Sequence, residues 1–410
     1  MSAGLVTGAA LVLVAGCHSL GYYAARSQLY RMAAEQHGMP MSSISGMFTS
    51  QLSASVLGVM LALPLCALLG PASGVAAGLA CYAASAAVAA FATDSTTFAA
   101  SMVLGGIGIG MYRPALWAAL ARPFGAGQES ARTAVAIAVY ATVNLVALPA
   151  PFVGNWAAEA FGGWLSVGVS AVASGVAALV ALVPLGLQFS PGGAQPEAAR
   201  ARGLSLPVLA VAGGTVLVGG AGLVAWTVAN DLQFGEAMSS AGREAGWFWF
   251  VNPSVVLGTG ALAAVGLGVA ALTGTRVPTL LVAGGGMVLL ALGLVPLDLV
   301  GAGFGTVVAV VAVGAVGEAL VMGPLFARAC GDVHFRLSIA PAAALVLATT
   351  VPGIVSRLPR SSDNPAWGWV ILGLGGVALL SGIVLLAGAL PAQRLLATVE
   401  AFFNRSPGSA

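Results

Sequence analysis

The sequence predicts an all-α polytopic membrane protein with twelve transmembrane helices, arranged as two halves of six. Two observations carry that expectation. Only 7% of the 410 residues are charged while 59% are hydrophobic, far too little charge to cover a soluble surface of this size. Apolar runs of about 18–25 residues recur from end to end, each long enough to cross about 30 Å of hydrocarbon. A third observation divides the chain. The stretch QFSPGGAQPEAARARGLSLP, residues 188–207, is the longest polar run and is rich in Pro, Gly and Arg, which reads as a linker.

The segments follow in order. Segment 1 covers about Gly4–Leu29, segment 2 Ser43–Leu69, segment 3 Val75–Ala92, segment 4 Thr97–Leu120, segment 5 Thr133–Gly154 and segment 6 Trp164–Leu187. After the linker come segment 7 at Pro207–Ala229, segment 8 at Trp247–Leu272 and segment 9 at Pro278–Leu297. Segments 10, 11 and 12 lie at Gly303–Ala329, Ser338–Val355 and Trp367–Leu390. The expected organisation is a six-helix bundle over 1–187, a cytoplasmic linker over 188–206, a second bundle over 207–390 and a tail over 391–410. The tail repeats apolar residues at helical spacing, as a short interfacial helix does. Six, a linker and six suggest two parallel repeats able to rock against each other.

All 15 basic residues are arginine, a compositional habit more than a function. Their placement in loops orients the chain. With the N-terminus inside, the inner side holds Arg122, Arg132, Arg200, Arg202, Arg276, Arg328, Arg336, Arg394 and Arg405. The outer side holds Arg31, Arg243, Arg357 and Arg360. Both termini are therefore expected to be cytoplasmic, in a bacterial inner membrane. The 57 glycines suit close helix packing in lipid. Cys17, Cys66, Cys81 and Cys330 lack metal-ligand spacing and read as buried thiols. No cofactor, metal or nucleotide loop is expected, and no nucleophile–base pair suggests an enzyme.

Three charges fall where charge is expensive: Arg26 late in segment 1, Arg113 in segment 4 and Glu318 in segment 10. A mid-membrane charge costs roughly 2.5–3.5 kcal/mol on insertion scales and usually faces the protein interior. Segments 4 and 10 hold equivalent places in the two halves, so Arg113 and Glu318 are expected to face each other across the central axis. Two cations and one anion suit a carboxylate-bearing solute, best a zwitterion. Pro114, Pro324 and the glycines nearby suggest locally broken helices. Snorkelling of the two arginines to opposite membrane faces is the plainer alternative.

Five stretches in order resemble the proton-coupled oligopeptide transporters of the major facilitator superfamily. GYYAARSQLY (21–30) is similar to that family's first-helix Tyr-Tyr-Gly-x-Arg, and GIGIGMYRPALWAAL (106–120) to its glycines followed by Lys-Pro-Asn. YATVNLVALPAPFVGNW (140–156) resembles Phe-Tyr-x-x-Ile-Asn-x-Gly, and WFWFVNPSVV (247–256) resembles Trp-Phe-x-x-x-Asn-Pro. GEALVMGPLF (317–326) resembles Gly-Glu-x-x-x-x-Pro. The resemblance implies the major facilitator fold and a secondary active transporter of di- or tripeptide-like solutes, acting by alternating access as a symporter. It implies that Arg26 holds the peptide carboxylate, with Tyr22 and Tyr23 beside it and Arg113 near the same end. It further implies that Asn144 and Asn252 bond the peptide backbone, that Glu318 meets the amino group, and that Trp226 and Tyr140 are pocket walls. The aromatics also fit interfacial packing, and the asparagines fit helix–helix bonding.

The pattern departs from the family where coupling is concerned. Ala15, His18 and Ser19 stand where the family has Glu-x-x-Glu-Arg. Arg113 replaces a lysine, and arginine does not titrate. GPASG (70–74) lacks the Asp and Arg that lock the family's cytoplasmic gate. His18 and Glu318 are left as candidate proton-coupling groups, with a helix-bonded histidine as the alternative for His18. Asp231 is a possible second cavity anion. The losses leave open a second function: a non-transporting membrane subunit or sensor working through a protein partner. The expected partners are membrane lipid, a small carboxylate and protons.

Overall fold

Helix ends in this chain are set by a few punctuating residues. Gly70, at φ 86°, closes α2 (Met41–Leu69) and lets α3 (Pro71–Phe91) begin on the next residue. That conformation is open to glycine at little steric cost, and Pro71 suits the first helical position because its missing N–H would be unbonded there. Residues 71–74, expected as loop, are therefore the first turn of α3. Asp94 caps α4 (Ser95–Ala119), its carboxylate accepting from the Thr97 backbone N–H at 2.8 Å and from the Thr97 hydroxyl at 2.7 Å.

The computed structural model describes residues 3–120, 124, 128–189, 206–241, 248–294, 304–331, 333–334, 337–355 and 367–389. The first half begins with α1 (Ala3–Arg31), which runs into a π-helical turn over Met32–Gln36. After α4 come α5 (Glu129–Ala147), α6 (Ala150–Phe161) and α7 (Gly163–Phe189). The second half holds α8 (Leu206–Ala241), α9 (Phe248–Leu272), α10 (Thr279–Leu292), α11 (Phe304–Gly331), α12 (Ile339–Val355) and α13 (Trp367–Ala389). Most of the linker and the whole 391–410 tail lie outside the described residues.

Three sequence expectations need correction. Segment 5 is two helices, because Pro149 and Pro151 interrupt the backbone ladder between α5 and α6. Segment 7 continues as α8 to Ala241, well past Ala229. Pro114 and Pro324 do not break their helices, since α4 and α11 run through them. Neighbouring helices in a bundle make such prolines tolerable.

Among the described residues, nine helices are long and apolar enough to cross a membrane, and α10 and the 339–354 stretch are shorter apolar helices. α4 completes the twelve. It is the helix with Arg113 and four glycines between 105 and 110, and most of its residues from Tyr112 to Ala119 are buried. It sits among protein, so it does not need an apolar surface. Leu57, Leu61, Leu262, Val265, Val269 and Leu272 are exposed instead, as lipid-facing side chains are.

The two halves meet through a repeated pairing. α9 packs on α5, and α12 packs on α2. In segment numbers these are 8 on 5 and 11 on 2, which is one contact seen twice under a shift of six. α11 adds contacts to α5 and α4. Close approach there depends on Gly323, where a Cβ would lie 2.7 Å from the Ile137 backbone nitrogen. The main core cluster spans both halves, from Leu11, Val59 and Leu116 to Met287, Leu325 and Ile371.

Candidate functional site

The first-half wall is aromatic and cationic. His18 on α1 lies with its ring 4.7 Å from that of Tyr112 on α4 and 4.9 Å from that of Tyr82 on α3, both edge-on. Its Nδ1 is 3.1 Å from the Ser174 hydroxyl on α7. Tyr22 lies 6.2 Å from both His18 and Tyr82, and its ring meets that of Tyr23 at 5.1 Å. The Arg26 guanidinium stands over Tyr22, 5.8 Å from the ring centroid, a cation–π contact. Four helices thus build one cluster around His18. Its plainer alternative was a bond to a helix carbonyl; the partner is a hydroxyl.

The second-half wall is acidic and amide-rich. Glu318 on α11 is 9% exposed. The Tyr140 hydroxyl on α5 donates to its Oε1, and the Asn252 amide on α9 donates to its Oε2 at 3.2 Å. The Tyr140 bond crosses from one half to the other. Both oxygens of the one buried carboxylate among the described membrane residues are engaged, as a buried acid requires. Beside Glu318 is a cavity of about 70 Å³ lined by Trp226, Asn230, Gln233, Asn252, Leu290 and Val310, among others. A water needs roughly 10–15 Å³ of such space, so the cavity has room for several.

Arg113 and Glu318 were expected to face each other across the central axis. No ion pair joins them, and neither Arg26 nor Arg113 reaches a carboxylate of the described residues within 4.0 Å. Tyr23 lies against Tyr22, whose ring carries Arg26, while Tyr140 bonds Glu318. Glu318 turns to neutral donors because Tyr140 and Asn252 sit on helices packed directly against α11.

The remaining expected site residues divide. Tyr22, Tyr23 and Arg26 are half-buried and lie together; Trp226 and Asn252 line the cavity with Glu318. Asn144 donates from Nδ2 to the Tyr140 carbonyl one turn back at 3.0 Å, so its amide bonds its own helix. The Asp231 side chain lies outside the described residues. Tyr82, Tyr112, Ser174, Asn230 and Gln233 were not expected. Tyr112 was adjacent to a flagged arginine. Asn230 and Gln233 fell beyond the expected end of segment 7.

One end of the molecule is sutured across the halves. It is the end with the α4–α5, α9–α10 and α11–α12 connections. The Ser130 hydroxyl donates to the Thr275 carbonyl, and the Val277 N–H donates to Ser130 Oγ, both at 3.2 Å. Glu129 Oε1 accepts from the Thr279 N–H at 3.2 Å, and the Thr133 and Thr279 hydroxyls are 2.8 Å apart. Trp117 stacks on Phe326 at 4.7 Å, and the Ser338 hydroxyl donates to the Ala118 carbonyl at 3.4 Å. The Arg132 guanidinium lies against Gly331, the last residue of α11. A cation there complements the helix C-terminus.

No protein-family model and no curated protein matches the sequence. Solved structures do match the fold. The human organic anion transporter MFSD10 (TETRAN) superposes with a TM-score of 0.64 at 16% identity, covering 94% of this chain and all of its own. The proton:xylose symporter XylE of the major facilitator superfamily, bound to 6-bromo-6-deoxy-D-glucose, gives 0.64 at 14% identity over 93% of this chain and 95% of that one. PepTSo, a transporter of the POT family, gives 0.58 at 14% identity over 92% and 96%. The chain has the major facilitator fold: a multi-pass, all-helical membrane protein of two six-helix halves.

Proposed function

We propose that this protein is a secondary transporter that moves a small carboxylate-bearing solute, anionic or zwitterionic, by alternating access. Di- and tripeptides are the solutes implied by the motif resemblance, and PepTSo is among the structural neighbours. The observation that carries the reading is the placement of Glu318. It is a buried acid bonded by Tyr140 of the other half, so its bonding depends on how the halves are arranged. Arg26 with Tyr22 and Tyr23 supplies the carboxylate side of the site, through the fork geometry that guanidinium offers.

The cycle follows from the two halves. With the sutured end shut, solute enters from the opposite end and reaches the wall between Arg26 and Glu318. Rocking opens the suture and separates Tyr140 from Glu318. A proton taken by Glu318 makes that separation cheaper by removing a buried charge; His18, which gains a charge on protonation, is the second candidate for coupling. We place both termini in the cytoplasm of a bacterial inner membrane on the arginine count, which makes the sutured end the cytoplasmic one. Its Ser, Thr and Glu129 contacts stand in for the gate charges missing from residues 70–74.

The missing Glu-x-x-Glu-Arg favours a second reading, a membrane subunit or sensor that acts through a protein partner. Ligand binding by purified protein separates the two. Dipeptides, amino acids and simple carboxylates are screened by thermal shift at two pH values, with Arg26→Ala and Glu318→Ala as controls. A ligand at 100 times its dissociation constant stabilises by about 2.7 kcal/mol. Stabilisation of the wild type and of neither variant supports transport. A wholly silent panel removes the transport reading and leaves the partner reading, for which co-purification is the next experiment.

A further inference from the structure

Glu318 has two kinds of neighbour. Tyr140 reaches it from the first half, whereas the cavity beside it is lined by second-half residues alone, on α8, α9 and α11 and at the end of α10. That cavity, at about 70 Å³, is well below the roughly 300–1,000 Å³ of ordinary ligand pockets. A di- or tripeptide does not fit it. An ion with a few waters does.

The lining suits a cation. Asn252 donates from Nδ2 to Glu318 Oε2 at 3.2 Å, which fixes the turn of the amide, since the opposite turn would set one oxygen against another. The Asn252 Oδ1 is then a buried acceptor with no hydrogen-bond partner among the described residues, a costly arrangement unless something answers it. With the amide so turned, a proton on Glu318 leaves this oxygen as it is, whereas a metal ion takes it as a ligand. Asn230 and Gln233 bring two more side-chain amides to the same lining. Carboxylate and amide oxygens are the ligands that hard cations take.

The backbone adds to this. α10 starts at the sutured end, where Thr279 bonds Glu129 and Thr133. Its 14 residues span about 21 Å at the helical rise, short of about 30 Å of hydrocarbon. The helix therefore stops inside the membrane, in a tightened turn where the Leu294 N–H donates to the Ala291 carbonyl. Leu290, Gly293 and Leu294 of that turn line the cavity. A helix C-terminus carries partial negative charge and favours a cation nearby.

We propose that this cavity binds an alkali-metal cation, sodium or potassium, held by the Glu318 carboxylate and Asn252 Oδ1, with Asn230, Gln233 and water completing its shell. Glu318 is the one carboxylate among the lining residues, which matches a single positive charge better than two. The site stands apart from the transport reading, because a sensor can hold an ion equally well. In a transporter the ion would offset the buried charge of Glu318 when Tyr140 leaves it, and so link ion occupancy to the arrangement of the halves.

The test measures melting of the purified full chain at fixed pH, without solute, in sodium, potassium or N-methyl-D-glucamine chloride at equal ionic strength. Sodium or potassium is expected to raise the melting temperature saturably above the organic cation, as a ligand of the folded state does. Glu318→Gln and Asn252→Ala are each expected to move the half-saturating concentration up by about tenfold or more. Binding of radioactive sodium or rubidium, displaced by the unlabelled ion, checks the wild type without any variant having to fold. Equal melting in the three salts with no displaceable binding overturns the proposal. So does a response that calcium or magnesium gives more strongly, or one that Glu318→Gln leaves unchanged. Solute is absent throughout, so a silent solute panel and a silent salt series are separate results.

Discussion

The two walls of the central site are made from different chemistry. All six tyrosines of the chain, Tyr22, Tyr23, Tyr30, Tyr82, Tyr112 and Tyr140, lie in the first 140 residues. Four of them stand around His18, Arg26 and one another. The second half has no tyrosine and presents Glu318, Asn252, Asn230 and Gln233 among aliphatic side chains. The fold repeats, since segments 2 and 8 pack alike, yet the chemistry does not. A pseudo-symmetric scaffold thus holds a polar, asymmetric site, which is what a solute with distinguishable ends requires. Between the two walls, among the described residues, Tyr140 crosses the divide, donating from the first half to the acid of the second.

Removing the acid should disturb this contrast most. Glu318→Ala leaves the Tyr140 hydroxyl and the Asn252 amide without their acceptor, and each buried unsatisfied group costs about 1–3 kcal/mol. A clear fall in the melting temperature of the detergent-solubilised protein is expected. Glu318→Gln, which still accepts one bond, should fall less. Equal melting points for wild type and Glu318→Ala would show that the cross-half bond does not form.

The sutured end comes next. Ser130→Ala combined with Thr279→Val removes three cross-half hydrogen bonds, each worth about 0.5–1.5 kcal/mol net. A loss near 2 kcal/mol shifts a two-state equilibrium by roughly 30-fold. Cys330 is buried beside this end and serves as reporter in a chain whose other three cysteines are alanine. Maleimide labelling of Cys330 should accelerate in the double variant. An unchanged rate would mean that these bonds do not hold the end shut.

The smallest effect is expected away from both walls. The Thr97 N–H and hydroxyl hold the exposed Asp94 carboxyl below its ordinary value. Its stabilising increment is complete above the unfolded carboxylate pKa of about 3.9 and is lost as pH falls through the lower folded value. Asp94→Ala should lower the melting temperature slightly at neutral pH and leave it unchanged well below pH 3. A difference that persists in acid would assign Asp94 some role other than the cap.

Much of the site was legible because charge in an apolar segment is conspicuous. Arg26, Arg113 and Glu318 stand out in any window of this sequence, and Asn252 and Tyr140 belong to motifs flanked by aromatics or prolines. Tyr82 was not legible: one phenol in a helix of small residues has no period to mark it, and its role comes from where folding sets its ring, against those of His18 and Tyr22. The suture was not legible either. It is built from short hydroxyls and backbone groups of Thr275, Val277 and Thr279, which form no motif.

By itself the sequence determined the twelve apolar segments, their division into two sixes and the few charges inside them. Hydrocarbon admits only internally bonded backbone and penalises every stray charge, so these features follow from composition and run length. The tertiary structure decided the partnerships. It gave Glu318 two neutral donors and left Arg113 outside ion-pair distance, broke segment 5 at Pro149, and closed one end with Ser, Thr and backbone contacts. Each of these depends on which helix faces share a depth after packing, and glycines such as Gly323 set that approach through contacts far apart in the chain.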